Sequence, residues 1–401
     1  MNADNTPKPI RIGFLYNHEE LHQVAHTAPI ISRLQQHAPG LEVEVLTSSD
    51  SQTEAVMSHL DPQMEPPLIR RMAAGKLVKA IEKATGGIIP LSRIGALAAN
   101  REMLGTFDAL VVPETTTTLL KTRYGMLHPK LIFCPHGAGD RSISVSPDIA
   151  HFDFVLLPGE KTRDRMIEGG IVRQGDHAVI GYPKFDTPHL AAPTNFFDND
   201  RLTVLYNPHF DPRLSSWHDM GLQVLEYFAG QQTYNLIFAP HVMLFQRRVL
   251  ASVEHRKIRL RKDIPARYRQ MDHIRIDTGS ERSVDMSYTR NADLYIGDVS
   301  SQIYEFIQRP RPAIFLNSHD AQWQDDPSYA FWHFGQVIDD VGDLGAALEQ
   351  AFPLGEIFRQ RQSAAFAQTF SIDPAKSSAV RAAEAIAAYL DRESPLGGRA
   401  R

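Results

Sequence analysis

The chain has 401 residues, too many for one ordinary core, so two domains are expected. Hydrophobic residues make up 43% and charged residues 22%, and the net charge of −5 argues against a broad nucleic-acid-binding surface. The single cysteine, Cys134, excludes a disulfide framework and any site built from several cysteines.

The N-terminal stretch lacks a charged region followed by an apolar core, so no signal peptide is expected. No uncharged apolar run approaches the roughly 18 to 20 residues that a membrane span needs. A cytoplasmic protein is expected, at most peripheral at the inner face of the cell membrane.

Short apolar runs alternate with helical patterns along the whole chain. In the first half they are IRIGFLY (10–16), LEVEVLT (41–47), DALVVPE (108–114), KLIFCPH (130–136), DFVLLPG (153–159) and HAVIGYP (177–183). Most are continuous rather than alternating, as in parallel strands buried on both faces. Cys134 falls inside one of them and reads as buried and inert. The stretch 187–201, with two prolines, reads as a linker. The pattern then restarts with TVLYNPH (203–209), NLIFAPH (235–241), IRIDTG (274–279), DLYIGD (293–298), AIFLN (313–317) and GQVID (335–339), and an Ala-rich amphipathic helix closes the chain at 377–393. Two successive βα arrays imply an α/β protein with two Rossmann-like domains facing a central cleft. The expected boundaries are 1–190, 200–375 and a C-terminal helix at 376–393. Residues 64–105 differ, carrying Arg70, Arg71, Lys76, Lys79, Lys83 and Arg93 against few acids, with Leu68, Met72, Leu77, Val78 and Ile81 at roughly helical spacing. An amphipathic helix packed on the sheet accounts for this; the alternative is a basic face toward anionic lipid.

Four stretches invite a chemical reading. HEELHQVAH (18–26) matches the zinc-protease spacing His-Glu-x-x-His, with His18, His22 and His26 four apart, as on one helix face. It follows the first strand directly, which is a βα turn and not a protease helix, so no metal is expected. Partly exposed helix histidines are the plain reading; the alternative is a cleft role, with His18 a candidate acceptor-side base. PETTTTLLKT (113–122) reads as a helix N-cap cluster. YNPHFDPR (206–213) puts His209 and Arg213 after the first strand of the second array, a position for phosphate contact. In ADLYIGDVSSQIYEFIQRPRPAIFLN (292–317) a strand stops at Gly297-Asp298 and turns through Ser300 and Ser301 into a helix. A helix start with two hydroxyls suits a phosphate, Asp298 would cap nearby backbone N–H groups, and Glu305 on the same face as Ser301 would accept from ribose hydroxyls. The same residues also suit a capped helix without ligand. No Walker loop or Gly-x-Gly-x-x-Gly occurs, which disfavours an ATPase or a dinucleotide enzyme.

This last stretch resembles the carboxyl-terminal signature of the CDP-glycerol glycerophosphotransferase family, the enzymes of teichoic-acid-type polymers, which have the GT-B fold. IFCPHGAGDR (132–141) resembles the family's His-Gly loop, VIGYPKFD (179–186) its Gly-x-Pro-x-x-Asp, and AKSSAVRAAEAI (375–386) its Ser-x-x-Arg tail. The chain departs from the family in FAPHVM, where Lys-x-His-Pro is usual, in Glu305, where Asp is usual, and in Ala138 and Asp140-Arg141. The resemblance implies glycerol-phosphate or related transfer from a CDP-linked donor to a hydroxyl acceptor of a cell-envelope polymer or lipid, with release of CMP and no cofactor. It further implies Ser300, Ser301 and His241 at the donor phosphates, His136 with Gly137 beside the transferred group as a general base or phosphate ligand, and Arg141 as a cation near the leaving phosphate. The alternatives are a GT-B glycosyltransferase using a nucleotide sugar and an inactive nucleotide-binding scaffold.

Overall fold

The computed structural model describes residues 9–18, 20–73, 91–137, 146–187, 194–252 and 255–393. The chain divides into two compact units, each built on one parallel sheet. The first unit holds seven strands, Ile10–Tyr16 (β1), Leu41–Thr47 (β2), Leu68–Arg71 (β3), Ala109–Val112 (β4), Lys130–Phe133 (β5), Phe154–Leu157 (β6) and His177–Val179 (β7), in the order β3-β2-β1-β4-β5-β6-β7. Every neighbouring pair is parallel, with β1 and β2 in register from Ile10 opposite Leu41 to Tyr16 opposite Thr47.

The apolar runs are continuous because both faces of the sheet are covered. Ile12, Phe14, Tyr16, Ala109 and Val111 enter one core, while Leu15, Leu110 and Val112 enter the other. The C-terminal helix Ser378–Glu393 belongs to the first core: Ala379, Ala382, Ala383, Ile386, Tyr389 and Leu390 pack there with Ile30, Ile31 and Leu34 of the helix Ala28–His37. Its docking explains two of the sequence motifs. Gly181 has φ +86° and approaches the Ser378 hydroxyl so closely that a Cβ there would lie 2.4 Å from Oγ. Tyr182 N–H donates to Ser378 Oγ at 2.9 Å, Ala379 N–H to Asp186 Oδ2 at 2.7 Å, and the Arg381 guanidinium to the Val179 carbonyl at 2.8 Å. The Gly-x-Pro-x-x-Asp and Ser-x-x-Arg segments are thus two halves of one helix cap.

The second unit holds a six-stranded parallel sheet and a separate hairpin. Its strands are Leu202–Asn207 (β8), Tyr234–Phe238 (β9), the antiparallel pair Val249–Ser252 (β10) and Lys257–Leu260 (β11), then Ile274–Ile276 (β12), Leu294–Gly297 (β13), Ala313–Leu316 (β14) and Gln336–Ile338 (β15). The sheet order is β12-β9-β8-β13-β14-β15. Read in chain order this is 3-2-1-4-5-6, the doubly wound arrangement, and the first unit follows the same rule with one more strand. In such sheets ligands bind beyond the carboxyl ends of the two strands where the winding reverses, which are β1 and β4 in the first unit and β8 and β13 in the second.

The continuous helical reading of 64–105 does not hold. Leu68–Arg71 is an edge strand whose Arg70 meets buried Glu44 at 2.9 Å, and among the described residues of this region a helix spans Leu91–Leu104. Lys76, Lys79 and Lys83 lie outside the described residues, as do part of the 187–201 linker and Arg141. Among the described residues no helix is long and apolar enough to cross a membrane.

Candidate functional site

In the second unit, the loops after β8 and β13 leave the reversal point and are tied together by Asp298. β13 ends in Gly297 because the Tyr295 ring folds over it: a Cβ would stand 2.4 Å from that ring, whose hydroxyl donates to Asn207 Oδ1 at 3.1 Å. Asp298 follows, buried, and its carboxylate accepts from the backbone N–H of His209 at 2.9 Å and of Val299 and Ser216 at 2.6 Å, and from the Ser216 hydroxyl at 2.8 Å. Burial pushes its pKa up to about 6, opposed by these donors. Asp298 therefore caps the loop after β8. Trp332 Nε1–H in turn donates to the Asp298 carbonyl at 2.7 Å.

The loops after β8 and β9 set two histidines beside each other, the His241 N–H donating to the Pro208 carbonyl at 3.0 Å. His209 and His241 follow β8 and β9, their rings 5.6 Å apart, with Phe210 4.7 Å from His241. His209 Nδ1 accepts from the Asp211 N–H at 3.1 Å, and His241 Nδ1 accepts from the Met243 N–H at 3.3 Å. An accepting Nδ1 carries no proton, so each neutral ring holds its proton on Nε2 and is a donor there, the form that suits an anionic oxygen. Arg213, half-buried, reaches the His319 carbonyl at 3.2 Å.

The serine turn departs from expectation. Only Ile303–Phe306 is α-helical, and Ile303, Tyr304 and Glu305 N–H groups bond three residues back, to Ser300, Ser301 and Gln302. With a three-residue period, positions 301 and 305 do not share a face. Ser301 is exposed, while Ser300 and Glu305 are buried.

In the first unit the reversal point lies between the loops after β1 and β4. His136 follows β5, and its Nδ1 lies 2.7 Å from the Pro113 carbonyl at the end of β4. A carbonyl can only accept, so Nδ1 carries the proton and Nε2 is left as a lone-pair base, 3.5 Å from the Gln23 amide nitrogen. The rings of His22 and His26 stand 6.5 and 6.3 Å from His136. Desolvation lowers the His136 pKa first; the Pro113 carbonyl, Glu20 and Glu114 raise it, and Arg93 lowers it. The residue keeps a solvent-exposed surface, so water tempers that lowering. Glu114, not a threonine, caps the threonine turn, accepting from the Thr116 N–H at 2.5 Å and from the Thr117 N–H at 3.2 Å.

The three spaced histidines do not line one helix face. His18 precedes the helical turn, and Leu21–His26 is a 3-10 helix, in which residues four apart diverge by a third of a turn. His18 is fully buried with neither ring nitrogen hydrogen-bonded. Burial, then Arg93 and His136, drops its pKa to about 3. A base that weak and enclosed is a poor acceptor-side catalyst at neutral pH. Among the described residues, no group of three His, Cys, Asp or Glu is arranged to hold a metal. Cys134 is buried, and burial pushes its thiol up to about 12.

Ser216, Trp332 and Pro113 escaped the sequence reading. They act through backbone contacts or from distant positions, and only the Ser-Ser doublet at 215–216 after a strand end hinted at one of them.

This architecture is shared with known enzymes of the GT-B class. The wall teichoic acid polymerase TagF matches with a TM-score of 0.57 at 11% identity, over 97% of this chain and 90% of that one. One solved form of TagF is a variant soaked with CDPG. MnaA of S. aureus, solved with UDP, matches at 0.58 and 12% over 96% of each chain. UDP-GlcNAc 2-epimerase from Neisseria meningitidis, bound to UDP-GlcNAc, matches at 0.54 and 11%, over 95% of this chain and 99% of that one. No family model matches the chain, and neither does any curated protein. The likeness establishes two Rossmann-like domains of GT-B type.

Proposed function

We propose that the chain is a transferase that moves glycerol phosphate, or a related polyol phosphate, from a CDP-linked donor to a hydroxyl of a cell-envelope acceptor. The observation that carries this reading is the anion-facing set at the reversal point of the second sheet. Asp298 holds the loops after β8 and β13 together, and His209 and His241 stand with their rings 5.6 Å apart, each with Nδ1 accepting a backbone N–H. The second unit then holds the donor diphosphate, with Arg141 as an added cation.

The first unit supplies the base. The acceptor hydroxyl oxygen attacks the phosphorus that bears the glycerol, its proton passes to His136 Nε2, and the bond from that phosphorus to the CMP oxygen breaks. The bonding pair leaves with CMP, whose phosphate charge is balanced by the imidazole donors and Arg141. Such a transfer depends on positioning and charge neutralisation more than on covalent help.

A nucleotide-sugar enzyme is the second reading, favoured by the full-length likeness to MnaA and the 2-epimerase. A thermal-shift panel of CDP-glycerol, CDP-ribitol, CMP, UDP and UDP-sugars separates the two. A shift with CMP and CDP-glycerol and none with UDP supports the transferase; stabilisation by UDP or UDP-GlcNAc alone overturns it.

A further inference from the structure

The hairpin β10–β11 carries a surface that the nucleotide chemistry does not use. Val249 pairs with Leu260 and Ala251 with Ile258, so these four side chains share one face of the ribbon. That face is open to solvent: Val249 is 58%, Ile258 72% and Leu260 65% exposed. The opposite face carries Leu250, buried in the core of the second unit, and Arg259, paired to Asp219 at 2.6 Å. The ribbon is therefore anchored by one side and displays aliphatic groups on the other.

Cations surround those groups. Residues 247–262 contain seven Lys or Arg, and the only acids from 247 to 263 are Glu254 and Asp263, in a chain whose net charge is −5. Asp263 lies 3.0 Å from Arg261 and 3.8 Å from Arg248, which leaves the strip strongly positive. Aliphatic side chains interleaved with cations match a bilayer surface, where the aliphatics enter the headgroup boundary and the cations meet lipid phosphates. A nucleic-acid groove would instead call for aromatic rings for bases to stack on. A second copy of the chain would set one cationic strip against another.

We infer that this hairpin docks the protein on an anionic phospholipid surface. The inference stands apart from the nucleotide reading. The test is cosedimentation with vesicles of phosphatidylcholine and phosphatidylglycerol in about equal parts, beside pure phosphatidylcholine. The wild type should sediment with the anionic vesicles only and be released by salt. Arg248→Glu with Arg256→Glu, both exposed, should lower partitioning on the order of 100-fold. Ile258→Ser with Leu260→Ser should weaken it while leaving the residual binding salt-sensitive. Both variants should keep the wild-type melting profile and nucleotide response, since neither pair touches the candidate site. Equal binding to neutral vesicles, or no vesicle binding, overturns the proposal. So do variants that sediment like wild type, which would move the contact to residues 64–105. Oligonucleotide capture or dimerisation in place of vesicle binding, lost in the variants, would reassign the surface.

Discussion

His136 and Asp298 show how much a single hydrogen bond decides at the residue scale. The Pro113 carbonyl selects the His136 tautomer, and with it the atom able to accept a proton. General-base catalysis typically contributes about 10² to 10⁴-fold, so His136→Ala should cut turnover by about that factor with donor affinity little changed. Loss of CMP or CDP-glycerol binding in a thermal-shift titration of that variant would make His136 a phosphate ligand instead. Asp298 accepts four bonds with two oxygens. Asp298→Asn offers one oxygen and turns an NH₂ toward N–H donors, so it should cost about 1 to 3 kcal/mol per donor left unsatisfied. Urea denaturation measures this, and a wild-type midpoint would show that the loop re-caps itself without the carboxylate.

At the scale of elements, Arg311 ties the second unit's site region together. Its guanidinium lies 3.9 Å above the Phe306 ring and donates to the carbonyls of Thr289, Arg290, Ala292 and Phe306, joining the turn before β13 to the one after it. No carboxylate is among these partners, and burial, then Arg309, lowers its pKa to about 9. A lysine cannot span that fork, so Arg311→Lys should destabilise the protein by about 2 kcal/mol or more, read from urea melts. An unchanged midpoint would mean that the carbonyls are equally well served by water. The elements themselves differ in how clearly the sequence announces them. β1 and β2 match their apolar runs residue for residue because both faces are buried. β3 went unread: its four residues, LIRR, are all at least partly exposed and leave no apolar period. The hairpin was missed for a related reason, since KIRL alternates cations with aliphatics on an exposed ribbon and resembles a solvated segment. Within the site, the Asp, Ser and His residues at strand ends were legible because sheets of this kind gather them there. The short serine helix was not, because whether a turn continues as α or tightens depends on packing that spacing does not encode.

Over the whole molecule, buried histidines should set the response to acid. His18 is lowered to about 3, His218 and His319 to about 4, and His26 well below its usual value, in each case chiefly by desolvation. In the unfolded chain all four protonate near 6.5, so between about pH 4 and 6.5 the unfolded state binds more protons and stability rises with pH. Asp186 and Asp298, raised by burial to about 6, act with the opposite sign: between about pH 4 and 6 they are protonated in the fold but ionised when unfolded. Four imidazoles against two carboxyls leave an excess of about two protons on the unfolded chain near pH 5, roughly 3 kcal/mol per pH unit from these six groups, and His136, also lowered by desolvation, adds with the same sign. Glu44 and Asp277, held below their usual range in the fold, add to the acid loss at lower pH. The melting temperature should therefore fall steadily from pH 7 to pH 5. His18 offers the sharpest check, because neither of its ring nitrogens has a hydrogen-bond partner to lose. His18→Phe removes a proton site while keeping an aromatic ring beside Tyr16. Its melting curve should be less steep in pH by about one proton and no lower than wild type at pH 5. A melting temperature that is flat or rises toward pH 5, or a variant with the full wild-type slope, would show that these rings are not held neutral by the fold.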